Sequence, residues 1–455
     1  MSVKLRSLII KTSRTLLVLA SLSITLFAQA RNPVIIIPGL SGSELRHKDT
    51  GERIWFKALK QRSEDLKLPI SENIAANHDS LVPSDILRTL KISFIPVSDV
   101  YGGLIESFES RGYHEESWEA PSGKGADQAV YVFPYDWRLD NVENARSLVR
   151  KVEALKAKLS RPDLKFDIVS HSMGGIIARY AAMYGDSDLP AANQRPKPTW
   201  AGARHFDKII LMGTPNEGSA KALNTLLQGF LINGVRVELP FFQDSSKFTA
   251  FTMPAVYQLL PAPGTLRAFN DRLEPLEIDI YDPKVWKQYG WSVIDDKAFK
   301  SRFRKEEQLV ADRYFAAVLE RAKRLHQALV SSTGDTGGIS FHALGSDCKK
   351  LSDSLVIYRD QSNDKWTTLF SPEGFTRTDG TRVTAAELKK VMLTTGDGIV
   401  SRRSLEAATQ KVAYKEPGKF VCEDHIKLPR NRQIQDHIFT VLGGRASKPD
   451  LAAVR

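Results

Sequence analysis

The sequence predicts an α/β fold, a mostly parallel central sheet with helices on both faces. Two observations carry this. Short apolar runs alternate with helical patterns along most of the 455 residues. One run, Lys165-Phe-Asp-Ile-Val-Ser170, meets His171-Ser172-Met173-Gly174-Gly175 and passes at once into the helical pattern Ile176-Ile-Ala-Arg-Tyr180. A strand, a turn of small residues around a serine and an immediate helix make the setting of a nucleophile elbow.

In chain order, strands are predicted at Val34–Ile37, Val130–Phe133, Phe166–Val169, Lys208–Met212, Ile339–Leu344 and Lys419–Cys422. Helices are predicted at Gly103–Arg111, Val142–Leu159, Gly175–Tyr184, Glu306–Val330 and Arg432–Leu442. In the fourth, Leu309, Val310, Tyr314, Phe315, Val318 and Leu319 recur at helical spacing, an amphipathic face for packing. Two stretches break the alternation, 46–97 and 216–299. Insertions of this size at strand ends are where caps and substrate pockets are built. There is no internal repeat and no low-complexity linker. The expected organisation is one domain over 31–445, decorated by those two insertions, with a tail at 446–455.

Residues 1–30 read as a cleavable leader: Lys4, Arg6, Lys11 and Arg14, then the apolar run Leu16–Phe27, then Ala28-Gln-Ala30. Export to a periplasm or exterior follows, with cleavage near Ala30; the alternative is an uncleaved N-terminal anchor. The formal charge is +11, and four of those positive charges fall in the leader, leaving about +7. That surplus suits an anionic lipid surface. No zinc-finger or RNA-binding signature argues for nucleic acid, and no metal motif or cofactor is implied. The two cysteines, Cys348 and Cys422, invite a disulfide in an exported chain; two buried thiols are the alternative.

A serine hydroxyl needs a base and an orienting acid. In this strand–turn–helix setting the acid follows the serine and precedes the histidine. Thr394-Thr-Gly396-Asp397-Gly398 sets a carboxylate in a tight turn just past an apolar segment, whereas Asp347, Asp353, Asp360, Asp364 and Asp379 sit in polar, surface-like settings. Only His425 and His437 follow Asp397. His425 ends the last strand candidate, as a base on a strand-exit loop does; His437 lies in a helical pattern. The expected triad is therefore Ser172, Asp397 and His425. Oxyanion stabilisation needs preorganised donors, and the N–H groups of Leu40, in the Pro38-Gly39-Leu40 turn after the first strand, and of Met173 are the candidates.

These blocks resemble the lecithin:cholesterol acyltransferase family of α/β-hydrolases, which includes lysosomal phospholipase A2. The matching segments, in order, are Ile37-Pro-Gly-Leu-Ser-Gly-Ser-Glu-Leu45, Tyr131-Val-Phe-Pro-Tyr-Asp-Trp-Arg138, His171–Gly175, Met212–Gly218, Met253–Pro261, Gly396–Val400 and Asp424-His-Ile426. The resemblance spans about 33–443. It implies a serine enzyme that moves an acyl chain from a phospholipid to an alcohol or water, with Ser172, Asp397 and His425 as triad and Leu40 and Met173 as oxyanion donors. The 216–299 insertion would be a helical cap and Gly229–Phe242 its lid; Trp55 in the early insertion would touch membrane or substrate, the alternative being that it simply packs. No cysteine lies in 46–97, where animal members hold a disulfide loop, and Ser170 replaces the family's glycine. A water-only lipase or carboxylesterase with the same triad is the alternative.

Overall fold

The computed structural model describes residues 31–56, 64–92, 95–123, 126–229, 246–331, 335–360, 364–407 and 418–443. The expected leader, the lid run beyond Gly229 and the C-terminal tail lie outside the described residues.

Seven strands form the central sheet: β1 (Val34–Ile37), β2 (His114–Glu115), β3 (Ala129–Val132), β4 (Phe166–His171), β5 (Phe206–Met212), β6 (Ser340–Ser346) and β7 (Lys419–Val421). Their spatial order is β7-β6-β5-β4-β1-β3-β2, and every pairing is parallel. The first four apolar runs are dominated by Val, Ile, Leu and Phe because strands covered on both faces have no solvent side to make polar. Alternation then sorts the residues by face. Ile35, Ile37, Phe166, Ile168, Ile209 and Leu211 enter one core. Val34, Ile36, Val169, Ile210 and Met212 enter the other.

Each face has its helices. α1 (Gly102–Glu109) and α5 (Arg432–Val441) cover the second core through Leu104, Phe108, Ile434, Ile438 and Phe439. The first core is closed by α2 (Asn141–Lys158), α3 (Met173–Tyr184) and α4 (Lys305–Val330). Asp140 caps α2, its carboxylate accepting from the Val142 N–H. In α4, Tyr314, Phe315, Val318 and Leu319 are buried as the spacing predicts, but Leu309 is 78% exposed and stands outside the packed face. Burying each such large apolar side chain contributes roughly 1.5–3 kcal/mol.

The insertions differ in kind. The first returns to the core as a short sheet in which Ser43–His47 pairs with both Arg53–Trp55 and Leu81–Ile86. It is anchored by the fully buried Arg138, whose guanidinium binds Asp136 at 2.7 Å and Asp79 at 2.6 Å. Of the two readings of Trp55, the packed one holds: it is buried, its indole N–H donates to the Ser41 carbonyl and its ring meets Trp137 edge-on. The second insertion holds the helices Ala220–Gln228, Ser246–Phe251, Pro254–Tyr257, Pro283–Gln288 and Phe299–Arg302. It also contributes the strands Arg267–Phe269 and Pro275–Leu276 to a four-stranded sheet completed by Ser354–Asp360 and Lys365–Leu369. Among the described residues, no helix is long and apolar enough to cross a membrane.

Candidate active site

All the residues singled out for chemistry lie beyond the C-terminal ends of the parallel strands, where α/β sheets present their ligand sites. Ser172 sits between β4 and α3 with φ +54° and ψ −125°, a left-handed conformation that costs a non-glycine residue about 1–3 kcal/mol. The turn is held by the Ser172 N–H donating to the Met212 carbonyl and the Gly175 N–H to the Ser172 carbonyl. Its neighbours must be small. A Cβ on Gly174 would stand 2.5 Å from the Pro38 carbonyl oxygen, and one on Gly39 would stand 2.8 Å from the Ser172 Cβ. The loop after β1 thus presses directly on Ser172. Ser170 fits beside the turn because its hydroxyl donates to the Ile210 carbonyl at 2.8 Å across the β4–β5 pair.

Asp397 reaches the site by a detour. After β6 the chain leaves along Lys349–Ser352 and returns, antiparallel to it, along Leu393–Gly396. The Ser346 hydroxyl donates to the Gly396 carbonyl and accepts from the Glu423 N–H, tying together the ends of β6 and β7. A disulfide joins Cys348 to Cys422 at the same place, with Cα atoms 5.3 Å apart. The alternative of two free thiols is thereby excluded. The Asp397 Oδ1 accepts from the N–H groups of Ile399 at 3.0 Å and Val400 at 2.7 Å. Gly398, at φ +91°, makes that tight turn possible.

His425 opens the turn after β7. Its N–H donates to the Asp397 carbonyl at 2.9 Å. Its ring Nδ1 lies 2.6 Å from Asp397 Oδ2, and its Nε2 lies 2.9 Å from Ser172 Oγ. Asp397 and His425 are both buried; Ser172 is half-buried. Gly213 allows this closeness: it has φ +59°, and a Cβ there would meet Leu428 at 2.9 Å and both His425 and Asp397 at 3.2 Å. The structure therefore brings Ser172, His425 and Asp397 into one hydrogen-bonded line. His437 stays half-buried on α5. Of the competing aspartates, Asp353 is not the surface residue expected: it is buried, its carboxyl is pushed up by that burial, and Arg403 lies 3.6 Å away.

Met173 is buried as the first residue of α3, so its N–H has no partner four residues back. Leu40 is half-buried beside Gly39. The loop bearing Leu40 is clamped by residues that sequence reasoning left without roles. The Tyr135 hydroxyl donates to the Pro38 carbonyl at 2.8 Å, the Tyr135 N–H donates to Ser43 Oγ, and the Trp137 indole donates to the Ser43 carbonyl. The signal was present, because Tyr135 and Trp137 belong to the Pro134–Arg138 block. Tyr101 had no such signal, yet its hydroxyl accepts from the Gly39 N–H and contacts His171 Nδ1, each at 2.8 Å. His171 is fully enclosed; burial first, and His425 nearby second, hold it well below the usual histidine range. Among the described residues, no group of three or more His, Cys, Asp or Glu is arranged to hold a metal ion.

Comparisons agree with this picture at the level of fold and family. The solved Tle4–Tli4 complex contains a chain that superposes with a TM-score of 0.58 at 14% identity, covering 90% of this chain and 98% of that one. The mature Bacillus licheniformis lipase BlEst2 aligns over 92% of this chain and 94% of its own at 12% identity, with a TM-score of only 0.35. A Saccharomyces cerevisiae protein, the uncharacterized YJR098C, is 26% identical over 293 residues, 63% of this chain. This alignment spans 38% of the yeast protein's length. Residues 100–302, which include the elbow and the Pro134–Arg138 block, match the lecithin:cholesterol acyltransferase family model, so that part of the chain carries the family's pattern, on a fold shared with the α/β-hydrolases.

Proposed function

We propose that this protein is a serine acyl-transfer enzyme acting on phospholipid esters. The reading rests on one observation above all: the imidazole of His425 lies between Ser172 Oγ at 2.9 Å and Asp397 Oδ2 at 2.6 Å, at a strained strand-to-helix turn. The family match over 100–302 favours a lipid ester as substrate.

In the proposed cycle, His425 Nε2 takes the Ser172 proton as Oγ bonds to the ester carbon. The carbonyl oxygen becomes an oxyanion facing the N–H groups of Leu40 and Met173. Collapse breaks the bond to the glycerol oxygen, which leaves with the proton from His425, and an acyl-serine remains. An alcohol or water then gives its proton to His425, attacks the acyl carbon and carries the acyl group away, returning the proton to Ser172. Asp397 holds the Nδ1–H tautomer and stabilises the imidazolium. In this reading the 46–97 and 216–299 insertions form the cap, with Gly229–Phe242 as lid. Residues 1–30 direct export and are removed near Ala30, and the protein meets membranes transiently.

Two measurements test this. A fluorophosphonate probe should label the wild type, with mass spectrometry finding the adduct on Ser172, and Ser172→Ala should neither label nor turn over; an unlabelled, folded wild type sinks the proposal. Phospholipid vesicles with and without a long-chain or sterol alcohol separate transferase from lipase. A new ester identifies transfer, while free fatty acid alone in both arms removes the transferase part. N-terminal sequencing of secreted protein tests the cut near Ala30.

A further inference from the structure

A chain of three buried hydrogen bonds runs behind the nucleophile and touches reacting machinery at both ends. The Gly39 N–H donates to the Tyr101 hydroxyl at 2.8 Å, which lies 2.8 Å from His171 Nδ1, and His171 Nε2 lies 3.1 Å from the His425 carbonyl oxygen. Donor logic fixes every proton. A carbonyl only accepts, so His171 Nε2 carries hydrogen; a neutral ring then accepts at Nδ1, so the tyrosine hydroxyl donates there and accepts from Gly39. We propose that Tyr101 and His171 are positioning residues that couple the oxyanion loop to the backbone of the base, through the line Gly39–Tyr101–His171–His425. The inference rests on the Ser172–His425–Asp397 reading above and adds to it.

The bland alternative is that two buried polar side chains have simply found partners. Three features separate this network from that case. Gly39 immediately precedes Leu40, so the Tyr101 hydroxyl fixes the peptide from which the next N–H, the candidate donor, projects. At the other end, His425 is gripped on both sides of its Cα, its N–H by the Asp397 carbonyl at 2.9 Å and its carbonyl by His171. Finally, the His171 and His425 rings stand 4.8 Å apart and inclined by 38°. A charged ring at 171 would oppose the imidazolium that forms at 425 during turnover. Enclosure, with Tyr101 wholly buried beside it, keeps His171 neutral. In a site this dry such chains are cooperative, so removing either member loosens both ends.

The test uses Tyr101→Phe, His171→Gln and the double variant, assayed on a short soluble ester and by fluorophosphonate labelling rate. A donor removed outright from an oxyanion hole costs about 10²–10³ in kcat, and a donor merely misaimed costs less, so each single change should lower kcat about 10- to 100-fold. KM should stay within about two-fold, because ground-state contacts are untouched. The double variant should be no worse than the poorer single one, since both cut the same line. Full kcat in Tyr101→Phe, or losses that multiply in the double variant, overturns the coupling. So does a parallel collapse of kcat and melting temperature in Tyr101→Phe. Parallel assays of wild type and Ser172→Ala distinguish the two claims: if wild type is unlabelled or Ser172→Ala remains active, the catalytic reading fails and the coupling with it. If wild type labels and Ser172→Ala is dead, a silent Tyr101→Phe condemns the coupling alone.

Discussion

Replacing Asp397 with asparagine changes one atom of the site and should silence it. The reason lies in how the carboxylate is used. Its Oδ1 accepts from two backbone N–H groups, those of Ile399 and Val400. Both need an acceptor, so the amide oxygen of the substituted side chain would keep that place and turn its NH2 towards His425 Nδ1, which lies 2.6 Å from the present Oδ2. A nitrogen that donates cannot face another that donates. His425 must then accept at Nδ1 and carry its proton on Nε2, the atom 2.9 Å from Ser172 Oγ. The hydroxyl meets an N–H where it needs a lone pair. Inverting the tautomer in this way costs about 10⁴ in kcat, or about 5.4 kcal/mol of barrier. Because the backbone bonds survive, the Asp397→Asn protein should remain folded. Pre-steady-state release of nitrophenol from a short ester measures the acylation step, with circular dichroism as the check on folding. A folded variant within ten-fold of wild type at neutral pH would refute the assignment of the acid.

Three further outcomes are expected. His425→Ala should be nearly as inactive as Ser172→Ala, whereas His437→Ala should keep turnover within about two-fold; steady-state kinetics on one ester compares them. Breaking the Cys348–Cys422 link by Cys348→Ser, Cys422→Ser or both should cost about 4 kcal/mol in denaturant unfolding, because the link closes a loop across 74 residues; a loss under about 1 kcal/mol would contradict the chain-entropy account. Burial, with Arg179 nearby, pushes His326 from 6.5 down to about 4. The unfolded chain therefore takes the proton first, and stability is lost as pH falls from 6.5 towards 4, by up to about 3 kcal/mol. Denaturation midpoints should fall over that window in wild type and fall less steeply in His326→Gln, where His171 and His205, also held low by burial, still cost stability.

How much was legible beforehand follows from how local each cause is. The strand Val34–Ile37 and the helices over 142–159 and 306–330 are set by periodicity within their own sequence, and the structure has them within one residue of expectation. The helix after the nucleophile begins at Met173, two residues early, since the turn itself absorbs only Ser172. The four-stranded sheet joining 267–276 to 354–369 was not legible, because its joining pair, Arg267–Phe269 with Ser354–Val356, meets across 87 residues through tertiary contact and carries no local signature. Gly-Asp-Gly made Asp397 conspicuous. Asp353 misled, for the groups that face it, Arg403, Ser401 and Arg267, come from distant parts of the chain. Tyr101 was invisible for the same reason: its meaning lies in Gly39 and His171, 62 and 70 residues away.

The site is assembled from two separately braced halves, and this explains where the chain spends its most distinctive residues. Upstream of Ser172, the loop after β1 is fixed by Tyr135, Trp137, Trp55 and Tyr101, which hold Pro38, Ser43, Ser41 and Gly39 respectively. None of the four reaches the triad, so a block such as Pro134–Arg138 is distinctive because it shapes a backbone, which tolerates few substitutes. Downstream, Asp397 and His425 arrive on separate excursions, and the disulfide and the Ser346 hydroxyl pin the strand ends that bear them. Neither brace spans the nucleophile. His171 contacts both halves, through Tyr101 on one side and the His425 carbonyl on the other. A loosened disulfide should therefore act first at Asp397 and His425, whereas a lost Tyr101 hydroxyl should loosen the loop at Gly39 and, through His171, the His425 backbone as well, and the two lesions should differ in whether stability or labelling fails first.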